Sequence, residues 1–197
     1  MGKITKVEEQ KNNKSRMSIF IDGEYSFSVE KIVALERGLK EGTQLSESDI
    51  KDLMSESDEE KAMKQALKYI AIRQRTKYEM LTYLKGKNYS DFVIAKIIDK
   101  LEYYNYINDI EFIKAYVSAF GGKYGEKRIK SKLFQLGVPG ELADKFLINL
   151  PQVEACEKDK NKYLRTHKDC PREKLFTYLL SKGYSGETIS KVLDGDI

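Results

Sequence analysis

Two apolar periodicities divide the chain. In its first thirty residues apolar and polar positions alternate, from Ile4 to Val7 and then as Met17, Ile19, Ile21 followed by Tyr25, Phe27, Val29. Alternation at period two marks strands with one buried face, and the Asp22-Gly23 pair between the last two runs is a strong hairpin signal. The pattern predicts a hairpin, with a third strand over Ile4 to Val7. A short helix from about Glu30 to Arg37 should follow and stop at Gly38, since helices commonly end on a left-handed glycine. Gly42 and the acidic stretch from Ser46 to Asp58, with a further helix around Ile50 to Met54, then lead out of this segment.

Beyond about residue 58 the period changes to that of helices, and the pattern repeats. Met80, Leu81, Leu84, Asn88, Tyr89, Ile94, Ile97 and Ile98 map 49 positions on to Ile129, Lys130, Leu133, Gly137, Val138, Ala143, Phe146 and Leu147. A further 46 positions give Leu175, Phe176, Leu179, Gly183, Tyr184, Ile189, Val192 and Leu193. Self-similarity at this pitch is the mark of stacked supersecondary units that share a core. The expected fold is therefore mainly α: three tandem three-helix repeats in an elongated array, preceded by a small β-hairpin plus helix. The expected boundaries are 1–57 for the amino-terminal cap, then 58–107, 108–152 and 153–197 for the repeats.

Within the first repeat, Met63, Ala66, Leu67 and Ile70 have helical spacing, and Thr76 with Glu79 forms a capping box that opens a second helix running through Leu84. Ser90 caps a third, striped by Val93, Ile94, Ile97, Ile98 and Leu101. The second repeat opens on Asn108 and Glu111, with Phe112, Ala115, Tyr116 and Ala119 on one face, and Gly121-Gly122 breaks that helix. The third begins near Val153. Pro171 suits the first turn of its middle helix, and its last helix, carrying Ile189, Val192 and Leu193, is expected to run to the chain end.

Charge adds a second layer. With 34% charged and 41% hydrophobic residues the chain has the composition of a folded protein. The net charge of +4 is uneven: residues 1–57 hold 9 basic and 11 acidic side chains, whereas residues 58–107 hold 10 and 7. From Lys61 to Lys77 there are six basic residues and no acid, and from Lys123 to Lys132 five basic residues and only Glu126. Such patches either solvate a helix face or meet a polyanion, whose neutralised phosphates release counterions. The candidate binding residues are Arg73, Arg75, Lys77, Lys123, Lys127, Arg128, Lys130 and Lys132. Tyr103, Tyr104 and Tyr106 are expected to seal repeat against repeat with their hydroxyls in water; the other reading makes them, with Tyr124, anchors for a partner.

Catalytic chemistry is hard to place. Gly121-Gly122-Lys123-Tyr124-Gly125 follows a helix rather than a strand and lacks the Gly-Lys-Ser/Thr ending of a phosphate loop, so it reads as a helix break. His167 has no nucleophile motif beside it, and the acids are not paired for proton transfer. Cys156, Cys170 and His167 make only a thin case for metal, since zinc sites use closer-spaced pairs. No enzyme activity, metal or cofactor is expected. No run approaches the roughly 18 apolar residues of a membrane span, and Met1 to Gln10 lacks the apolar core of a secretory signal, so a cytoplasmic protein is expected.

The middle of the chain resembles the RecX family, bacterial regulators of the RecA recombinase. The residues that carry this are Arg73-x-x-Thr76-x-x-Glu79-Met80-x-x-x-Leu84, then Ile97-x-x-x-Leu101, then Tyr106-Ile107-Asn108-Asp109-x-x-Phe112-x-x-x-Tyr116-Val117, and Gly125-x-x-Arg128-Ile129-x-x-x-Leu133-x-x-x-Gly137-Val138. These spans cover about residues 62 to 147. Asn105 stands at a usual glycine, and the amino-terminal hairpin lies outside the best-matching region. The resemblance implies a non-enzymatic protein that binds along the groove of the RecA–DNA filament and inhibits recombinase, ATPase and coprotease activities in DNA repair; a monomer is expected. Two other readings stand beside it: a helical-repeat protein that binds single- or double-stranded DNA without RecA, and a scaffold that binds only protein.

Overall fold

The structure, a computed structural model, describes residues 1–195. Its residues fall into two compact units, the first formed by Met1–Gln74 with Met80–Tyr106 and the second by Arg75–Glu79 with the chain from Ile107 onward.

In the first unit the alternating segments form β1 (Gly2–Gln10), β2 (Asn13–Ile21) and β3 (Glu24–Glu30), and a two-residue β4 (Gln44–Leu45) completes an antiparallel sheet in the order β3-β2-β1-β4. Asp22 and Gly23 both have positive φ, 51° and 93°, the requirement of a type I′ turn whose twist matches the strands. The third strand is thus longer than the alternation at Ile4 to Val7 foretold, because β2 pairs it as far as Gln10. β4 is too short to leave a periodic signal. Ile4, Ile19, Phe27 and Val29 pack with Val33 and Ala34 of α1 (Lys31–Glu36) and with Leu45 and Leu53. Gly38, with φ 58°, ends α1 as expected.

The acidic lead-in differs from its expectation. Instead of a short helix around Ile50 to Met54 and a separate one after it, a single α2 runs from Glu47 to Ile72. Ser46 and Asp49 start it with a reciprocal capping box, at 2.8 and 3.1 Å, and no glycine or proline interrupts the following 26 residues. Its buried positions are Leu53, Ser57, Ala62 and Ala66, so Leu67, expected on the core stripe, is exposed. The two alanines let β3 and α4 (Asp91–Tyr103) approach closely. Ser90 caps α4 through the Val93 N–H at 3.3 Å, and the whole stripe Val93, Ile94, Ile97, Ile98 and Leu101 is buried. Between them α3 (Lys77–Lys85) buries Met80 and Leu84.

The second unit holds α5 (Asp109–Phe120), α6 (Glu126–Gln135), α7 (Gly140–Leu147), α8 (Gln152–Thr166), α9 (Arg172–Ser181) and α10 (Gly186–Asp194). Asn108 caps α5 by accepting the Glu111 N–H at 3.1 Å. The buried face of α5 is Phe112 and Ile113, flanked by Tyr116 and Val117, while Ala115 and Ala119, placed on that face by the sequence reading, are exposed. Larger side chains claim the core and turn the alanines outward. Pro171 sits just before α9 rather than in its first turn. The last helix stops at Asp194 because Gly195 turns left-handed at φ 75°; the remainder of the expected run to the chain end lies outside the described residues.

A joint between helix ends occurs twice in this unit. The Thr76 hydroxyl, at the start of α3, donates to the Leu136 carbonyl at the end of α6 at 2.6 Å. The Gly125 N–H, at the start of α6, donates to the Lys182 carbonyl at the end of α9 at 2.9 Å, and the Lys127 N–H to Gly183 at 3.1 Å. The residues after the Leu136 and Lys182 carbonyls are left-handed glycines, Gly137 (φ 82°) and Gly183 (φ 94°). A Cβ on Gly137 would lie 2.1 Å from the Tyr78 side chain, and one on Gly183 2.4 Å from the Arg128 Cβ. Glycine here meets two demands together, positive φ and close approach. Asn88 is also left-handed (φ 61°), but it is exposed.

Candidate functional site

The basic candidates separate into two kinds. Of the first stretch, Arg75, a candidate binding residue, has only 10% of its side chain exposed and pairs with Glu79 at 3.5 Å. Glu79 also accepts the Thr76 N–H, so one carboxylate serves a cap and an ion pair. Lys77 is half-buried, its backbone N–H bonded to Asp109 at 2.8 Å. Arg73 is exposed and donates to the Gln74 carbonyl at 2.8 Å. Further back, Lys64 meets the buried Glu30 at 2.8 Å, with Arg16 on the same carboxyl group at 3.8 Å. Acids distant in sequence thus fold onto a stretch that contains none.

The second stretch stays more open. Lys123, Lys127, Arg128 and Lys132 are exposed, while Lys130 is held by Asp144 at 2.5 Å. The amphipathic spacing of α6 accounts for this: Ile129 and Leu133 are buried, which turns Lys127, Arg128 and Lys132 outward. Arg128 is more anchored than sequence implied. Its guanidinium lies 4.4 Å from the centre of the Tyr124 ring and donates to the Ser181 carbonyl at 3.3 Å.

Beside these cations runs a row of rings that the sequence reading recognised only in part, with Phe112 and Tyr116 on one helix face, Tyr124 as an alternative anchor and Phe120 unremarked. Phe112, Tyr116, Phe120 and Tyr124 succeed each other at four-residue spacing, with centroids 6.1, 4.5 and 6.1 Å apart. Burial raises the pKa of the Tyr116 hydroxyl. An open groove of about 400 Å³ lies along the row, lined also by Arg128, Ile129 and Lys132. A second recess, about 360 Å³, shares Tyr124 and is bordered by Lys123, Lys158, Lys162 and Lys182. Lys182 lies 5.8 Å from the Tyr124 ring centre and 5.4 Å from that of Tyr178. Lys158 and Lys162 were missed because Glu157 and Asp159 stand near them in sequence, and Lys182 because it is an isolated cation; the only signal was the pairing of Lys158 with Lys162 one helical turn apart.

Tyr103, Tyr104 and Tyr106 do not have the burial expected of a seal: they are 81%, 64% and 53% exposed and lean on one another at 5.0 and 6.4 Å. Neither do the sulfur candidates gather. Cys156 is fully buried, which pushes its thiol pKa up to about 11, Cys170 is half-buried, and His167 is exposed against the Tyr163 ring. Among the described residues no group of three or more His, Cys, Asp or Glu could hold a metal ion, and no helix is long and apolar enough to cross a membrane.

Comparison with known proteins places this architecture. The family described as Regulatory protein RecX N-terminal domain matches residues 2–46, and that described as RecX, first three-helix domain, matches residues 62–101. A Regulatory protein RecX of Bacillus pumilus is 35% identical over 98% of this chain and 77% of its own length, and one of Clostridium beijerinckii is 33% identical over 98% and 95%. The chain belongs to the RecX family. A crystal structure of a regulatory protein RecX superposes with a TM-score of 0.73 at 27% identity, covering 98% of this chain and all of the other. RecX from Lactobacillus salivarius gives 0.65 at 26% over 70% of this chain. The amino-terminal sheet, which the sequence reading left outside the best-matching region, therefore lies within the RecX pattern. At the position where that reading noted a usual glycine, Asn105 takes φ 58°, the left-handed conformation that asparagine tolerates better than other side chains do.

Proposed function

We propose that this chain regulates the RecA recombinase by binding the RecA–DNA filament and inhibiting its recombinase, ATPase and coprotease activities in DNA repair. It acts as a monomer in the bacterial cytoplasm, without catalysis of its own. The observation that carries this is the 35% identity to a regulatory protein RecX over 98% of the chain, so that the sheet and the helices are compared together. We further infer that the helices after Ser46 are three uses of one three-helix unit. Asn88, Gly137 and Gly183, at offsets of 49 and 46, share the left-handed conformation, and the joints Thr76–Leu136 and Gly125–Lys182 stand at the same offsets. A row of modules meets a repeating partner at several places, where modest contacts add through effective concentration. Exposed Lys123, Lys127 and Lys132 are the contact residues most available to acidic protein or phosphate, with Arg73 beside them in the proposal.

The test is the DNA-dependent ATPase of RecA with substoichiometric amounts of this protein. Inhibition that needs RecA filaments is the expected result. No effect on RecA, combined with tight binding to bare DNA, would transfer the role to the second reading, a DNA-binding protein acting alone. ATP turnover by this chain in the absence of RecA, tracking with it through purification, would overturn the non-catalytic part.

A further inference from the structure

The groove and the recess that meet at Tyr124 point to one ligand. We propose that the second unit carries a path for single-stranded DNA, in which bases stack along Tyr116, Phe120 and Tyr124 and backbone phosphates lie against Lys123, Lys158, Lys162 and Lys182. The choice of DNA rests on the regulatory reading above; the single-stranded, stacking mode rests on the geometry.

Three observations combine. The rings of Tyr116, Phe120 and Tyr124 are only part-buried and line the open groove; Tyr116 and Tyr124 rest on the core of the unit with one part of their surface and leave the groove-lining part for a ligand. Aromatic rings interleaved with cations are the general means of holding unpaired bases, since every base has a face to stack and every nucleotide a charge to neutralise. Second, the four lysines border the adjoining recess together with Gly122 and Tyr124. Among the described residues none of the four is in an ion pair. The one acid lining the recess, Asp159, is already engaged by the Tyr184 hydroxyl at 3.0 Å. Third, Tyr124 lines both hollows, with Arg128 4.4 Å and Lys182 5.8 Å from its ring centre. A strand whose base rests on Tyr124 has its phosphates within the lysine recess. Duplex DNA offers this row nothing to stack on, because its bases are enclosed and only groove edges and phosphates face outward. An acidic protein would satisfy the lysines but leave the rings without their natural counterpart.

The experiment is fluorescence anisotropy of the full chain with a labelled oligothymidylate of roughly 16 nucleotides, near the upper site size of single modules that bind this way. The expected result is a preference for it over a duplex of equal length and over oligouridylate. Tyr124→Ala should weaken binding roughly 5- to 150-fold, the loss of one stacked base, whereas Tyr124→Phe, which keeps the ring, should bind as the parent does. Because Tyr124 also packs against Phe120, a second variant guards against misfolding. Lys158→Ala with Lys162→Ala alters only exposed positions and should lower the log–log salt slope by about 1.4, or 0.7 for each phosphate released on a single strand. Equal or tighter binding to duplex or to oligouridylate, or unchanged binding by both the alanine and the double-lysine variants, would overturn the path. Parallel RecA ATPase assays separate the two proposals. No oligothymidylate binding with inhibition intact sinks the path alone, and binding without inhibition sinks the regulatory reading alone.

Discussion

The cations of α2 and its carboxyl-terminal exit, and those of α6, look alike in number but live in different surroundings. Lys64 and Arg75 each close on a shielded carboxylate, Glu30 and Glu79, whose side chains are 4% and 13% exposed. Lys127 and Lys132 face water. A cation paired with a buried acid is part of the architecture, because removing it strands the acid; a cation left in solvent costs little to change and is available to a ligand. Local charge density therefore does not identify a binding face. What separates Lys64 and Arg75 from Lys127 and Lys132 is a carboxylate held against the cation, as Asp144 is held against Lys130 on α6 itself.

The largest expected effect comes from loosening the ground on which α6 stands. Gly183→Ala would place a Cβ 2.4 Å from that of Arg128 and 2.6 Å from its backbone nitrogen, at a φ of 94°. The clash and the strain together should cost about 2–4 kcal/mol in chemical denaturation. A variant as stable as the parent would show that the joint does not hold the open stretch in place.

Next is Glu30→Ala. It removes the acid that holds Lys64 and Arg16 and should destabilise by about 2 kcal/mol, less than a fully buried pair because the Lys64 side chain is 48% exposed. Arg75→Glu sets two carboxylates against each other where 10% of one side chain and 13% of the other are exposed, and should cost about 1–3 kcal/mol. Lys127→Glu, the matched reversal on α6, should stay within about 0.5 kcal/mol by the same melt and act only on ligand binding. If Arg75→Glu and Lys127→Glu proved equally benign, the division between anchored and open cations would fail.

This division also explains what the amino-acid sequence could reveal. The hairpin at Asp22-Gly23, the caps at Thr76, Ser90 and Asn108, and the stripe on α4 were legible because each is decided by residues a few positions apart. The unbroken α2 was not, since the acidic stretch looked like a boundary although nothing in it breaks a helix. Nor was the surround of Arg75, which depends on a capping carboxylate doing double service. Tyr103, Tyr104 and Tyr106 looked like material for a seam between repeats, but their exposure depends on tertiary packing that spacing does not encode. The groove at Tyr124 needed rings from α5 and lysines from α8 and α9 to converge, and only part of the α6 contribution could be read from charge.

The joint between helix ends has a direction: one end gives a hydrogen, the other takes it. A contact of that kind, copied along a chain, has no natural last member and in principle admits another unit indefinitely, as in the open fibres that head-to-tail association builds. Counting 49 from Thr76 gives Gly125, and 46 more gives Pro171. Thr76 donates through its hydroxyl and Gly125 through its amide; proline has neither. The exposed Pro171, just before α9, therefore lacks the hydrogen that Thr76 and Gly125 give at the equivalent places, so this particular bond cannot be copied from it.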